Sequence, residues 1–131
     1  MFVDASALCA ILLSEEDGLA YAAKIRDADA PMTSALAVFE TVAAVARVAS
    51  GGVAAARTDV ADLLRAARIR MVAIGDAERE LALDAFDRYG KGRHPARLNM
   101  GDCFAYACAR THGVALLFKG DDFGLTDIAA G

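Results

Sequence analysis

The sequence predicts an α/β fold in which helices cover both faces of a central parallel sheet. Four short apolar runs have the length and composition of buried strands. Longer segments with helical spacing of apolar residues separate these runs. Strands that alternate with helices form βα units, which favour a parallel sheet. The 131 residues, 56% of them hydrophobic, suffice for a single domain, residues 1–131, with a substantial core.

The first half of the chain is predicted to contain two strands and three helices. Residues 1–4 form the first strand, and a short helix follows it through Ala10. Residues 14–29 form the next helix, because they begin with a serine that an acid follows three residues later, as in a capping box. Residues 32–34 form the second strand, which leads into a long apolar helix that ends near Gly51.

The second half is predicted to contain three helices and two strands. Residues 53–68 have the clearest amphipathic pattern of the chain and form a helix. Residues 71–74 form the third strand, and residues 76–89 the helix after it. A loop with glycine and basic residues leads to the last helix, residues 99–112, and to a fourth strand at residues 114–118.

Composition restricts the class of protein. The net charge of −4 argues against a general nucleic-acid binder, although a bound divalent cation would reverse the field locally in a nuclease. The three cysteines lie in apolar runs without zinc-site spacing, so we expect free thiols in a reducing compartment. The N-terminus lacks the basic residues of an export signal, and no apolar run reaches the roughly 18 residues of a membrane span. We therefore expect a cytoplasmic protein without membrane contact.

Three acidic residues stand alone in apolar surroundings. Asp4, Glu40 and Asp102 are each the only charged residue in a stretch of about a dozen residues or more. Stretches of this kind lie in the core, where an ionised carboxylate costs several kcal/mol unless it is paired or bound to a metal. The three positions are therefore candidates for a functional site.

Each acid also has a structural explanation. Asp102 follows Asn99 at the spacing of a capping arrangement, and Asp4 suits the cap of the helix after the first strand. Glu40 lies one to two turns inside its helix, where no cap explains it. An ion pair would suit any one of them, but no basic run is available to neutralise them all.

A further pair of acids, Asp121 and Asp122, follows the fourth strand. Ligand sites of parallel sheets form beyond the carboxyl ends of the strands, where Asp4 is also placed. Carboxylates that gather there raise one another's pKa unless a cation draws them together. The set as a whole favours a metal site, and oxygen ligands suit Mg²⁺ or Mn²⁺.

Several segments carry a family pattern in their order and spacing along the whole chain. They are Val3–Leu8, Glu40, Tyr89–Gly92, His94–Ala96, Leu98–Cys103, Leu117–Phe123 and Thr126–Ile128. With them the chain resembles the PIN-domain ribonucleases, and among these the VapC-type toxins of bacterial toxin–antitoxin pairs. The resemblance implies a three-layer α/β/α sandwich, a divalent-metal site and cleavage of single-stranded regions of RNA, such as tRNA or rRNA, to arrest translation. It also implies inhibition by a cognate antitoxin.

The resemblance implies catalytic roles for Asp4, Glu40, Asp102, Asp122 and Asp121. Asp4 and Asp102 would hold Mg²⁺ or Mn²⁺, while Glu40 would orient or deprotonate the attacking water or help to hold a second ion. Asp121 and Asp122 compete for the fourth acidic position, and we favour Asp122 because it keeps the Asp-Phe step of the family pattern. Ser6 matches a position that supports the metal site through its hydroxyl.

The loop of residues 88–97 is the one dense basic stretch. Arg93 and Lys91 are the candidate contacts to RNA phosphates, and Tyr89 a candidate for stacking on a base. The alternative is a solvated loop without a binding role. Alanine-rich helix surfaces are available for a homodimer or for an antitoxin, and the sequence does not assign which.

Two other functions compete with the ribonuclease. A haloacid-dehalogenase-like phosphatase also has an aspartate after its first strand and a late Gly-Asp-Asp turn. That chemistry needs a second aspartate two residues after the first, where this chain has Ser6. A non-catalytic PIN-fold binding module would have no need of Asp4, Glu40 and Asp102, which are all present.

Overall fold

A computed structural model describes all residues from 1 to 131 and contains one four-stranded parallel sheet. Its strands are β1 (Phe2–Val3), β2 (Met32–Ser34), β3 (Arg70–Val72) and β4 (Leu116–Leu117), in the order β3-β2-β1-β4. The helices are α1 (Ala5–Leu12), α2 (Gly18–Asp27), α3 (Ala35–Ala46), α4 (Gly52–Ala66), α5 (Asp76–Tyr89) and α6 (Met100–Thr111). A short 3-10 helix, Asp122–Leu125, follows β4.

Alternating side chains of the strands bury the two faces of the sheet against different helices. Phe2 and Leu116 belong to a core that they share with α5 and α6. Their neighbours Val3 and Leu117 point the other way, into a smaller core with α1, α2 and α4. Helices α3 and α4 pack on one another and on α1, which completes the second outer layer. The predicted three-layer α/β/α sandwich is thereby confirmed.

The helix predicted for residues 14–29 is too long at its amino end. Ser14 has a left-handed φ of 53°, which a helix cap does not adopt, and α2 begins only at Gly18. A Cβ at Gly18 would stand 2.5 Å from the carbonyl oxygen of Ala10, so the turn between α1 and α2 needs a glycine at its closest approach. The long helix predicted after β2 also ends earlier, at Ala46.

Other sequence predictions agree with the structure. Helix α5 has the predicted bounds, and Asn99 caps α6 through a hydrogen bond from the backbone N–H of Asp102. All three cysteines are free thiols; Cys103 and Cys108 are buried and Cys9 is partly so. None of the helices is both long enough and apolar enough to cross a membrane.

Candidate active site

Asp4 lies where the central strand β1 ends, and it caps α1. Its Oδ2 accepts hydrogen bonds from the backbone N–H of Ser6 at 2.9 Å and from the Ser6 hydroxyl at 2.5 Å. The same hydroxyl accepts from the backbone N–H of Lys119 at 2.9 Å, so it joins the ends of β1 and β4. The residue is only 5% exposed, yet no fully buried side-chain oxygen lacks a partner. The unbonded Oδ1 of Asp4 therefore reaches solvent.

Asp102 stands at the third position of α6. Its Oδ2 accepts a hydrogen bond from the backbone N–H of Asn99 at 2.9 Å, while Oδ1 of the Asn99 side chain accepts one from the backbone N–H of Asp102 at 3.0 Å. This capping box was the structural alternative for the residue, and the structure contains it. The box uses only one carboxylate oxygen, however, which leaves Oδ1 without a partner in the protein.

Glu40 lies on α3, which begins directly after β2 with Ser34 as its cap. Its half-buried carboxylate accepts no hydrogen bond within the protein and faces Gly101 on the neighbouring helix α6. A Cβ at Gly101 would stand 2.6 Å from Cδ of Glu40 and closer still to both carboxylate oxygens. The two helices thus approach closely where Glu40 enters the site.

The charges of these acids act on one another. Burial raises the pKa of Glu40 to about 7, and the charges of Asp4 and Asp102 contribute to the rise. Burial also raises the pKa of Asp102 to about 6; the backbone bond from Asn99 opposes the rise, and the charges of Asp4 and Asp122 add to it. Neither residue has a basic partner, and no ion pair of the protein includes either. The structure brings four acids from separate segments into one field of negative charge.

Two adjacent residues, Asp121 and Asp122, are the candidates for the fourth acid. Asp121 and Asp122 are both exposed, at the start of the short 3-10 helix after β4. Asp122 contributes to the raised pKa of Asp102, whereas Asp121 is not among the groups that shift it. The charge of Asp122 thus acts on the cluster, while the choice between Asp121 and Asp122 stays a prediction.

The donor set fits a hard divalent cation in its chemistry. Carboxylate oxygens are the ligands that Mg²⁺ and Mn²⁺ prefer, and the unbonded Oδ1 atoms of Asp4 and Asp102 are the available donors. As the side chains stand, no three acidic, histidine or cysteine groups converge closely enough to hold an ion. Coordination of one ion by three of these acids would require their side chains to move together.

The basic loop is only partly available for binding. Arg93 forms an ion pair with Asp87 at 3.0 Å and lies over the ring of Phe86, while Lys91 is exposed and has no ion-pair partner. Tyr89 is buried, with its ring against His94 and Tyr106, so it is not placed to stack on a base as the sequence suggested. No side-chain hydrogen bond or ion pair joins this loop to Asp4, Glu40, Asp102 or Asp122.

Two features near the cluster were missed in the sequence. Gly101 was noted only as part of a motif, although its lack of a side chain admits Glu40. Lys119 forms ion pairs with Glu15 and Asp17, which attach the turn between α1 and α2 to the end of β4. The hydrogen bonds to Glu15 and Asp17 raise the pKa of Lys119 above its usual range. A lysine directly after an apolar strand was the signal for this clamp.

The sequence of the chain is similar to that of known proteins over nearly its whole length. A family model described as PIN domain matches residues 1–129. A Ribonuclease VapC of Mycolicibacterium smegmatis is 41% identical, over 99% of this chain and 98% of its own length. A VapC ribonuclease of Rhizobium meliloti is 42% identical, over 97% and 98%, and Ribonuclease VapC30 of Mycobacterium tuberculosis is 39% identical, over 98% and 96%.

One solved structure extends the comparison to the fold. Mycobacterium tuberculosis VapC20, described as a sarcin-ricin loop cleaving toxin, superimposes on this chain with a TM-score of 0.75. The match covers 99% of this chain and 97% of that one at 15% sequence identity. At this identity the likeness shows a shared fold.

Proposed function

Because this chain belongs to the PIN-domain family and, within it, to the VapC ribonucleases, we propose that it is a metal-dependent endoribonuclease of the toxin class. One observation carries the proposal. Asp4, Glu40, Asp102 and Asp122 share one field of negative charge near the carboxyl edge of the sheet without an ion-pair partner, and burial and mutual repulsion raise the pKa of two of them. Such clusters occur where a function requires them, because they oppose folding.

The acids have separate roles in the proposed phosphodiester hydrolysis. Asp4 and Asp102 hold Mg²⁺ or Mn²⁺, and the Ser6 hydroxyl fixes the Asp4 carboxylate for that purpose. A bound divalent cation supplies a water of lowered pKa and neutralises charge that develops on the phosphate.

Glu40 is the proton acceptor in this scheme. Its carboxylate accepts no hydrogen bond within the protein and lies against Gly101, next to Asp102, so it is free to accept a proton from an attacking water. Asp122, with Asp121 as the alternative, completes the negative field around the ion. Lys91 is exposed, has no ion-pair partner and contacts a phosphate of the RNA, whereas Arg93 must leave Asp87 to do so.

The biological role follows from the family. We propose that the whole chain, residues 1–131, is the ribonuclease domain and cuts single-stranded regions of tRNA or rRNA in the cytoplasm, which arrests translation. A cognate antitoxin holds it inactive, and a homodimer is the proposed assembly. Exposed apolar side chains such as Phe39 and Val48 on and after α3, and Leu83 on α5, supply surface for these contacts.

Cleavage of RNA by the purified protein, freed of any partner, tests the proposal. Total cellular RNA is cut with Mg²⁺ or Mn²⁺, and the cutting stops with a chelator and with Asp4→Asn. Asp84→Asn, at an exposed acid on α5, is the matched control and keeps the activity. Absence of cleavage with both metals would refute the proposed ribonuclease activity. Sequencing of RNA 5′ ends after brief expression then identifies the target.

The two competing functions give different results in the same experiment. A phosphatase releases inorganic phosphate from small monoesters and leaves RNA intact. A binding module stays associated with a partner and is indifferent to Asp4→Asn. Each result separates its function from the ribonuclease without further assumptions.

A further inference from the structure

The contact between Glu40 and Gly101 is unusual in its chemistry. A carboxylate with no hydrogen bond in the protein is held against the backbone of a neighbouring helix, at a residue that is itself buried. Glycine disfavours a helix relative to alanine, and α6 is otherwise rich in alanine. Helix propensity therefore does not explain the residue.

Steric room does explain it. A Cβ at position 101 would overlap both carboxylate oxygens of Glu40 and lie 2.6 Å from its Cδ. The overlapping atoms are the far end of a flexible side chain rather than backbone, so the carboxylate is able to move aside while the helices stay packed. An added methyl group would therefore displace Glu40 and leave the fold in place.

The place of the Glu40 carboxylate matters for the site. It lies against Gly101, and Asp102, one of the two proposed metal ligands, is the next residue of the same helix. The glycine thus admits the Glu40 carboxylate to the backbone beside a proposed ligand, and the charges of Asp4 and Asp102 both act on it there. We propose that Gly101 is a positioning residue, whose missing side chain sets the place of the Glu40 carboxylate beside Asp4 and Asp102. The inference rests on the proposed ribonuclease function.

The test compares Gly101→Ala with Gly75→Ala, a matched control. Gly75 is the cap of α5, whereas Gly101 lies in the first turn of α6, and both face a glutamate carboxylate. A Cβ at Gly75 would lie 3.5 Å from Oε2 of Glu78, in ordinary contact. RNA cleavage with Mn²⁺, binding of Mn²⁺ alone by calorimetry, and Tm are measured for both. We expect Gly101→Ala to lower cleavage about 10- to 100-fold and to weaken Mn²⁺ binding, with Tm unchanged or raised. Gly75→Ala keeps wild-type cleavage.

Rescue by a shorter acid separates positioning from general damage. Glu40→Asp withdraws the carboxylate by one methylene and makes room for the methyl group. The double variant with Gly101→Ala and Glu40→Asp should cleave RNA faster than the product of the two single effects predicts. If Gly101→Ala fails to fold, restored folding in the double variant supports the contact, and continued failure overturns it.

Two further outcomes are decisive. Wild-type cleavage and Mn²⁺ binding in Gly101→Ala overturn the inference and leave the proposed function intact, as does a loss that is fully additive with Glu40→Asp. A wild-type protein that cuts no RNA with Mn²⁺ or Mg²⁺ overturns the proposed function, and the inference with it.

Discussion

Glu40 and Glu78 each face a glycine from a helix, yet they occupy opposite electrostatic settings. Glu78 is 7% exposed and accepts a 2.8 Å hydrogen bond from the backbone N–H of Gly75 at the start of α5. That bond lowers the pKa of Glu78. Glu40 is less buried but has no donor, and burial with the charges of Asp4 and Asp102 raises its pKa to about 7.

The opposite pKa shifts of Glu40 and Glu78 indicate how a functional buried acid differs from a structural one. Burial alone does not distinguish them, because the more buried glutamate is the better satisfied. The informative property is a carboxylate that the fold leaves without a donor and surrounds with like charge. Glu78 stabilises a helix end, whereas Glu40 is held in a position that costs stability.

The largest expected contrast is in activity. Glu40→Gln removes the proposed proton acceptor and should lower RNA cleavage on the order of 100-fold or more. Glu78→Gln keeps an oxygen that accepts from Gly75 and should leave the rate near the wild-type value. Initial rates on one RNA substrate with Mg²⁺ decide the matter. Equal effects of the two variants would remove the distinction drawn between the two glutamates.

The next largest expected effect is an increase in the free energy of unfolding when metal binds. At a Mn²⁺ concentration about 100 times Kd, binding to the folded state adds about 2.7 kcal/mol. Thermal unfolding of the wild type should then occur roughly 10 °C higher than without metal. The increase should be nearly absent in Asp4→Asn and retained in Asp84→Asn. An equal increase in all three proteins would place the ion elsewhere.

Loss of the Glu78 cap should produce a smaller change. Glu78→Ala leaves the Gly75 N–H without its acceptor and should lower the free energy of unfolding by about 1 kcal/mol. Because the folded pKa of Glu78 is lowered, its contribution is present above the unfolded pKa and is lost as the pH falls through the folded value. Urea titrations at neutral and acidic pH measure this, with Asp84→Ala as an unpaired surface control.

The smallest expected effect has the opposite sign. The raised folded pKa of Glu40 means that the folded state binds the proton more tightly, so the metal-free protein loses stability as the pH rises towards 7. Glu40→Gln should therefore raise the Tm of metal-free protein near pH 7.5 and have little effect near pH 5. Solvent screening of this half-exposed group limits the gain to about 1 kcal/mol or less. A Tm difference independent of pH would contradict the argument.

The sequence was sufficient to predict the limits of helices that glycine residues bound on both sides. Helix α5 begins after Gly75 and ends at Tyr89 before Gly90, and both limits were predicted from those residues. The predicted start of α2 was wrong because Ser14 ends α1 instead of opening α2. Its φ is left-handed, and the N–H groups of Ser14 and Glu15 donate to the carbonyls of Ile11 and Ala10 in the last turn of α1. Glycine usually occupies such a position, so a serine there gave no sign of a helix end.

The acids of the site were predictable, whereas their surroundings were not. Asp4, Glu40 and Asp102 stand out because no other charge lies near them in the sequence. Glu40 on α3 faces Gly101 on α6, although the two residues are sixty-one positions apart in the chain. No local sequence pattern predicts a contact over such a distance. The roles of Arg93 and Lys91 remain predictions, since no side-chain hydrogen bond or ion pair joins the loop to the cluster.

The position of β1 between β2 and β4 has a consequence for biosynthesis. The N–H of Asp4 donates to the carbonyl of Leu117, so the strand that carries the first acid lacks one neighbour until residues 116–117 have been synthesised. Asp102 and Asp122 also follow Asp4 by about a hundred positions or more. A nascent chain therefore carries an incomplete cluster until the segment with Asp122 has been added.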